Sequence, residues 1–357
     1  MKVGILFGGR SYEHDISIIT AAQVAAALDG RVEIYPIYAK DGDFFYLKGG
    51  IKLEQFAKRR IQKRKACFAV KRGKGALCFS GRKIVLDCML MCCHGGEGED
   101  GRFSALMEVF GFPYTAPNIL PSALTMDKRM TKRLCLSQLI PTAEGVVGRI
   151  GDDVFEKAKS LGYPLIVKPA RLGSSIGISV AHDEKELSTA MECASSFDRD
   201  LVIEEMIKDA VELNCAAFRE GKEIVVSAVE NPRSWNEFLT FGEKYEGGKY
   251  KSGSNRIIKG TLSERVRAMT RRVYEAFELD GIVRVDYLYS EREDLLFLNE
   301  INAQPGSLAY YLFEEVGIEF SDLLMRVIEE AIRRAEHKDI ISFNSGVLDN
   351  LSALSQK

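Results

Sequence analysis

Residues 2–7, KVGILF, read as a buried strand closed by Gly8-Gly9, and past a polar turn the apolar residues of 18–28 recur at helical spacing. Strand, glycine turn and helix in that order open an α/β unit. Residues 32–38 predict a second strand, whereas 44–84 hold no sustained period. The basic run 58–65, KRRIQKRK, reads as a solvated helix end because no aromatic residue interleaves it. Residues 84–92 are apolar again and predict a strand that delivers His94-Gly95-Gly96-Glu97-Gly98-Glu99-Asp100-Gly101 to its carboxyl end. Open α/β sheets bind ligands at that end.

The stretch 113–121, PYTAPNILP, has turn chemistry and marks a first domain boundary. Beyond it the pattern predicts a helix over 122–138, an extended segment from Pro141, a helix over 155–161 and a strand over 164–169. A Gly/Ser loop (171–177) and a strand (178–181) follow, and 201–205, apolar then acidic, marks the crossing into the last domain. Residues 282–289 and 295–301 predict an antiparallel hairpin turned at 290–294, and a helix over Phe320–Glu336 closes the fold. The polar tail after His337 shows no amphipathic period. The expected units are 1–116, 117–203 and 204–357.

A chain of 357 residues exceeds what one core usually supports, which agrees with several packed domains. Lys+Arg of 49 against Asp+Glu of 51 leaves a formal charge of −2, so no global field draws in nucleic acid or an anionic membrane. A small-molecule partner is the expectation. The eight cysteines sit mostly in apolar stretches and never at CxxC spacing, which predicts reduced, buried thiols. The first apolar run is too soon interrupted by charge for a signal peptide and no later one is long enough to span a bilayer, so a cytoplasmic location is expected.

The hairpin carries the first candidate chemistry. Residues two apart on a strand share a face, so Arg284 pairs with Asp286 and Glu300 with Asn302. Two carboxylates and a carboxamide beside a guanidinium suit a hard divalent cation bridging phosphates. A charge ladder on a half-exposed hairpin would look the same, and Gly306 just after it tilts the reading toward a ligand, since glycine lets backbone amides approach closely. The second candidate is Lys168 at a strand end, followed by the hydroxyls and glycines of 171–177, a way to cradle a triphosphate without a Walker loop. Lys128 is a further cation, although a lone helical lysine ordinarily faces solvent. His14 and His94 both lie in glycine-rich, acid-rich turns; His14 reads as structural and His94, directly after a strand, as a substrate contact.

Taken together, GGRSYEHDIS, HGGEGEDG, TMDKRMTK, YPLIVKPARLGSSIGIS, VIEEMI with VELN, FGEKY, VRVD and NEIN-x-x-PG resemble the motifs of D-alanine–D-alanine ligases, in family order. The resemblance implies a Rossmann-like N-terminal (preATP-grasp) domain and a two-domain ATP-grasp fold, α/β with an α+β C-terminal part. It implies that a D-alanine carboxylate is phosphorylated by ATP and the amine of a second D-amino acid displaces phosphate, for peptidoglycan. By the same resemblance Glu13 binds the first ammonium with His94 nearby, and Ser174 and Tyr245 complete a hydrogen-bonded set with Glu13. Lys128, Lys168 and Lys244 would meet phosphates and Glu204 and Glu212 the adenosine, with Ser175, Glu205 and Ile207 also binding ATP. Asp286, Glu300 and Asn302 would hold two Mg2+ (or Mn2+), while Arg284 and the Gly306 amide stabilise the oxyanion. A homodimer with no nucleic-acid or membrane partner is expected.

The departures are on the acceptor side. Family members continue as N-T-x-P-G-[FM]-T-S-x-S, where the last serine binds the second carboxylate; here Ser307, Leu308 and Tyr311 occupy that stretch, Tyr311 at the serine. A ligase using D-serine, D-lactate or an amine as acceptor, or an inactive nucleotide-binding protein, stands beside the leading expectation.

Overall fold

The computed structural model describes residues 1–232 and 256–336. Strand β1 (Lys2–Gly8) is buried on both faces, as a strand flanked by parallel neighbours must be. It turns through Gly8, where a Cβ would stand 2.3 Å from the Ala39 carbonyl oxygen and φ is +94°. Only glycine fits there. Helix α1 (His14–Ala27) begins four residues before the apolar period at 18, with Glu13 as its N-cap and Asp15 in its first turn. Strand β2 (Glu33–Lys40) follows as expected.

The segment 44–84 is regular after all. It holds β3 (Asp43–Leu47), a short α2 (Leu53–Ala57), β4 (Lys63–Lys71), β5 (Lys74–Phe79) and β6 (Arg82–Val85), added antiparallel to the parallel core in the order β6-β5-β4-β3-β2-β1-β7. In β4 only Ala66 and Phe68 are buried between exposed lysines, too weak a period-2 signal to stand out. The basic run is largely exposed, yet Lys63–Lys65 opens a strand rather than ending a helix. The expected strand over 84–92 splits at Asp87, whose carboxylate accepts from the Lys2 amide, and resumes as β7 (Cys88–Met91) beside β1.

Helix α3 (Arg102–Val109) leads to α4 (Ile119–Met126) and α5 (Lys128–Ser137), which replace the single helix expected over 122–138. Asp127 is extended (φ −95°, ψ 103°), and its carboxylate caps α5 by accepting from the Arg129 amide. A second sheet, ordered β10-β9-β11-β8, joins β8 (Gly145–Arg149), β9 (Leu165–Pro169), β10 (Ser179–Ala181) and β11 (Asp200–Glu205), with α6 (Val154–Lys159) and α7 (Glu184–Ser195) over one face. The expected crossing at 201–205 is thus a strand paired on both sides.

The third sheet, β14-β13-β12-β15-β16, comprises β12 (Val211–Glu220), β13 (Glu223–Asn231), β14 (Arg256–Ile258), β15 (Val283–Ser290) and β16 (Leu295–Asn302), covered by α8 (Thr261–Ala276). The β15–β16 hairpin forms as the pattern predicts. Helix α9 (Tyr310–Glu314) precedes α10 (Phe320–Glu336), which packs on β12 and also on β7 and α1. Val3, Ile5 and Leu90 therefore share one core with Phe218, Leu323 and Val327. Arg334 fastens the same junction by donating to the carbonyls of Tyr114 (2.7 Å) and Ala116 (3.2 Å). All eight cysteines are free, but the expectation of burial fails for three: Cys67 and Cys193 are exposed and Cys78 half-buried, because β4, β5 and α7 each turn one face outward. Among the described residues no helix is long and apolar enough to cross a membrane.

Candidate active site

The donor side is built on two glycine turns. Glu13, at the N-terminus of α1, accepts a short hydrogen bond from the Ser174 hydroxyl, joining the first domain to the loop after β9. Its carboxylate lies between Gly95 and Gly173: a Cβ on the first would stand 3.0 Å from one oxygen, on the second 3.5 Å from the other. Ser174 and Ser175 both have left-handed backbones (φ 55° and 58°), which aim the loop back across this space. A cavity of about 380 Å³ opens here, lined by Arg10, Ser11, Gly96, Arg171 and Leu172 besides these groups.

The nucleotide side collects cations around one carboxylate. Lys168, on β9, pairs with Glu204 on β11 and donates to the Asn299 side chain at 3.2 Å. Lys132, one helical turn after Lys128, holds the other Glu204 oxygen at 2.7 Å. Burial alone would raise the Glu204 carboxyl, but the two ammonium groups outweigh it and hold it down to about 2. Lys128 donates to the Leu172 carbonyl (2.7 Å) and to Glu300 (3.0 Å), so it spans the central loop and the hairpin. Glu205 turns aside, accepting from the Glu144 amide at 3.0 Å; Ile207 follows β11, and Glu212 lies on β12. Lys244 and Tyr245 lie outside the described residues, as does the tail.

On the hairpin the register sets Arg284 opposite Asn302 and Asp286 opposite Glu300. Arg284 grips Asp286 through two bonds (2.7 and 2.8 Å), and the Asn302 amide nitrogen donates to the same carboxylate at 3.0 Å. That bond occupies the amide nitrogen of Asn302 and not its carbonyl oxygen. The set fits a hard cation: two carboxylates with lone pairs remaining and one amide oxygen.

The acceptor side is a strained turn. After Gly306, residues Ser307, Leu308 and Ala309 take φ of 51°, 52° and 47°, and each such non-glycine residue costs roughly 1–2 kcal/mol. Ser307 and Leu308 are buried. Tyr311, on α9, donates its phenol proton to Glu230 (2.9 Å), a buried carboxylate on β13 that also accepts from Asn214. The phenol pKa is raised, by burial first and then by the Glu230 charge.

His94 is 2% exposed, and both its ring nitrogens are engaged, with Thr20 and with the Gln304 carbonyl. Direct substrate contact would require breaking one of these bonds. Burial lowers its pKa to about 4. His14 is structural as expected, bonded to Gly9 and Tyr38. Sequence reasoning passed over Lys132 and Glu99, although both lie inside motifs it singled out. Glu99 accepts from the Gly95 amide, and enclosure together with the Glu13 charge pushes it up to about 8. Thr20 and Glu230 gave no signal, being a mid-helix hydroxyl and one acid among many.

Profiles of the D-ala D-ala ligase N-terminus and C-terminus match residues 2–117 and 146–329. The D-alanine–D-alanine ligase of Thermosipho melanesiensis is 36% identical, with 98% of each chain covered. The structure of the VanG D-Ala:D-Ser ligase from Enterococcus faecalis superposes with a TM-score of 0.80 at 26% identity, over 92% of this chain and 99% of that one. The D-alanine–D-alanine ligase of Bacillus anthracis complexed with ATP does so at 0.71 and 26%, over 95% and 100%. With both profiles matched in order and a full-length relative above a third identical, this chain belongs to the D-alanine–D-alanine ligase family.

Proposed function

We propose that the protein is an ATP-dependent D-alanine–D-alanine ligase supplying peptidoglycan synthesis. The observation that carries this is a chain of contacts across the three domains: Glu13 of the first bonds Ser174 of the second, Lys128 and Lys168 of the second bond Glu300 and Asn299 of the third, and Arg284, Asp286 and Asn302 lie beside Glu300 on the hairpin. Division into 1–116, 117–203 and 204–357 is supported by one sheet falling in each, with β11 running two residues past the second junction.

In this reading Glu13 takes the ammonium of the first D-alanine, and Ser174, with Tyr245, orders the loop that covers it. The D-alanine carboxylate attacks the γ-phosphorus of ATP; the bond to ADP breaks and an acyl phosphate forms. Lys128, Lys168, Lys244 and Ser175 offset the charge on the phosphates, while Glu204, Glu205, Ile207 and Glu212 frame the adenosine. Lys132 and Lys168 hold Glu204 ionised, so it stays an acceptor for the adenine amino group. Asp286, Glu300 and Asn302 would hold two Mg2+ (or Mn2+), whose charge neutralises the phosphate oxygens. The second D-alanine's amine then attacks the acyl carbon, phosphate leaves, and Arg284 with the Gly306 amide meets the developing oxyanion.

On the acceptor side Ser307 and Leu308 form the wall, and Tyr311, whose proton is committed to Glu230, cannot serve the second carboxylate as a serine would. Arg284, whose charge interacts with both Tyr311 and Glu230, takes a larger share. A homodimer in the cytoplasm, where ATP and reduced thiols are found, completes the proposal. ADP formation with D-alanine alone, followed by product analysis with D-serine and D-lactate added, tests it. D-alanine-dependent ATP use yielding D-alanyl-D-alanine is the expected result; no ATP use with D-alanine would overturn it.

A further inference from the structure

The turn that holds Gly306 is anchored by a side chain from another domain. Thr20, fully buried in the middle of α1, accepts from the Ser307 amide at 3.0 Å and lies 2.7 Å from His94 Nε2. His94 Nδ1 lies 2.7 Å from the Gln304 carbonyl oxygen. A carbonyl only accepts, so Nδ1 carries the proton and Nε2 must accept from the Thr20 hydroxyl. The directions run in one sense: Ser307 amide to Thr20, Thr20 to His94, His94 to Gln304. Each donor and acceptor in the chain is used once, and both protein ends belong to the four residues 304–307.

We propose that Thr20 is a positioning residue for ligation, acting directly on Ser307 and through His94 on Gln304 to fix the Gly306 amide where the oxyanion forms. Gly306 lies between the two anchored residues, so loss of either anchor frees its amide to rotate. The donor anchor Glu13 sits on the same helix, seven residues earlier, so α1 sets the donor subsite with one end and the oxyanion turn with its middle. The bonds of Lys128, Lys132, Lys168 and Glu204 on the nucleotide side run to groups outside the relay.

This inference rests on the ligase reading, and the experiment keeps the two apart. With ATP, Mg2+ and D-alanine, dipeptide formed per ADP released is measured for the wild type, Thr20→Val and Thr20→Ser. A wild type that forms no dipeptide sinks the ligase reading. If it forms one dipeptide per ADP, Thr20→Val is expected to fall below one half, because acyl phosphate still forms but is lost to water. The same variant should lose dipeptide rate at least tenfold with KM for ATP unchanged within twofold. Thr20→Ser, which keeps the hydroxyl, should restore the ratio. A drop in folded fraction lowers both rates and leaves the ratio untouched. A ratio of one with rates within twofold in Thr20→Val overturns the proposal. Should that variant fail to fold, 15N spectra of His94 in the wild type decide: a neutral ring protonated at Nδ1 supports the relay, and an Nε2 proton at pH 7 overturns it.

Discussion

The donor and acceptor halves of the site are built by opposite means. On the donor half the chain takes unusual backbone chiefly at Gly8, Gly95 and Gly96, where glycine makes it inexpensive, while the left-handed Ser174 and Ser175 are held by the bond from Ser174 to Glu13. On the acceptor half, Ser307, Leu308 and Ala309 hold left-handed backbone without glycine, and a relay and a buried Tyr311–Glu230 pair support them. The donor half therefore depends largely on what is absent, a Cβ, with one contact-held pair at 174–175, and the acceptor half on contacts that must all be present. A substitution behind the acceptor half should reach the chemistry from a distance.

The largest effect belongs to neither half but to the cation set between them. Glu300→Ala should cost on the order of a thousandfold in kcat, since it removes a charged oxygen ligand and the partner of Lys128. Steady-state turnover with a circular-dichroism check of the fold measures it, and turnover near wild type would sink the cation assignment.

His94 sharpens the contrast through stability. Its folded pKa, about 4, lies below the ordinary 6.5, so the folded state resists protonation. Stability is fully present above 6.5 and is lost as pH falls toward 4, by roughly 2–3 kcal/mol between pH 7 and 4.5. Denaturant melts of wild type and His94→Gln at the two pH values should show the steeper loss in the wild type. Parallel slopes would mean that His94 is not held neutral.

Glu13→Gln should raise KM for the first D-alanine about ten- to a hundredfold, the worth of one hydrogen bond to a charged group, and leave the second KM nearly unchanged. The smallest effect is expected for Tyr311→Phe: about 1–2 kcal/mol of stability lost at Glu230, and a severalfold rise in KM for the second D-alanine only. Separate fits of the two KM values distinguish the halves. Equal shifts in both would erase the comparison.

The sequence carried the opening strands of the first domain, the hairpin with its turn and α10, because each combines a strong period with clear turn residues. It lost β3 to β6, since β3 is mostly half-buried and β4 buries only Ala66 and Phe68 among lysines, and it fused α4 with α5, because a single extended residue, Asp127, leaves no mark on periodicity. Among site residues, Glu13, Lys128, Lys168 and Glu300 stand in dense motifs, but so do Lys132 and Glu99, which motif density alone did not single out because their partners Glu204 and the Gly95 amide are set by the fold. The hydroxyl of Thr20 was not legible, since its role comes from residues 304–307, nearly three hundred positions away.

The clamp at the end of the chain has a bearing on biosynthesis. Helix α10 fills the floor beneath β1 and β7, and Arg334 ties down the carbonyls of Tyr114 and Ala116. Gly281 presses so close to the Thr115 carbonyl oxygen that a Cβ would stand 2.0 Å from it. The amino-terminal sheet thus leaves the ribosome long before the helix that completes its core, and some two hundred residues must be translated before that floor arrives. Until then its apolar underside stays open, so a ribosome stalled short of residue 320 carries an unfinished first domain in need of a chaperone.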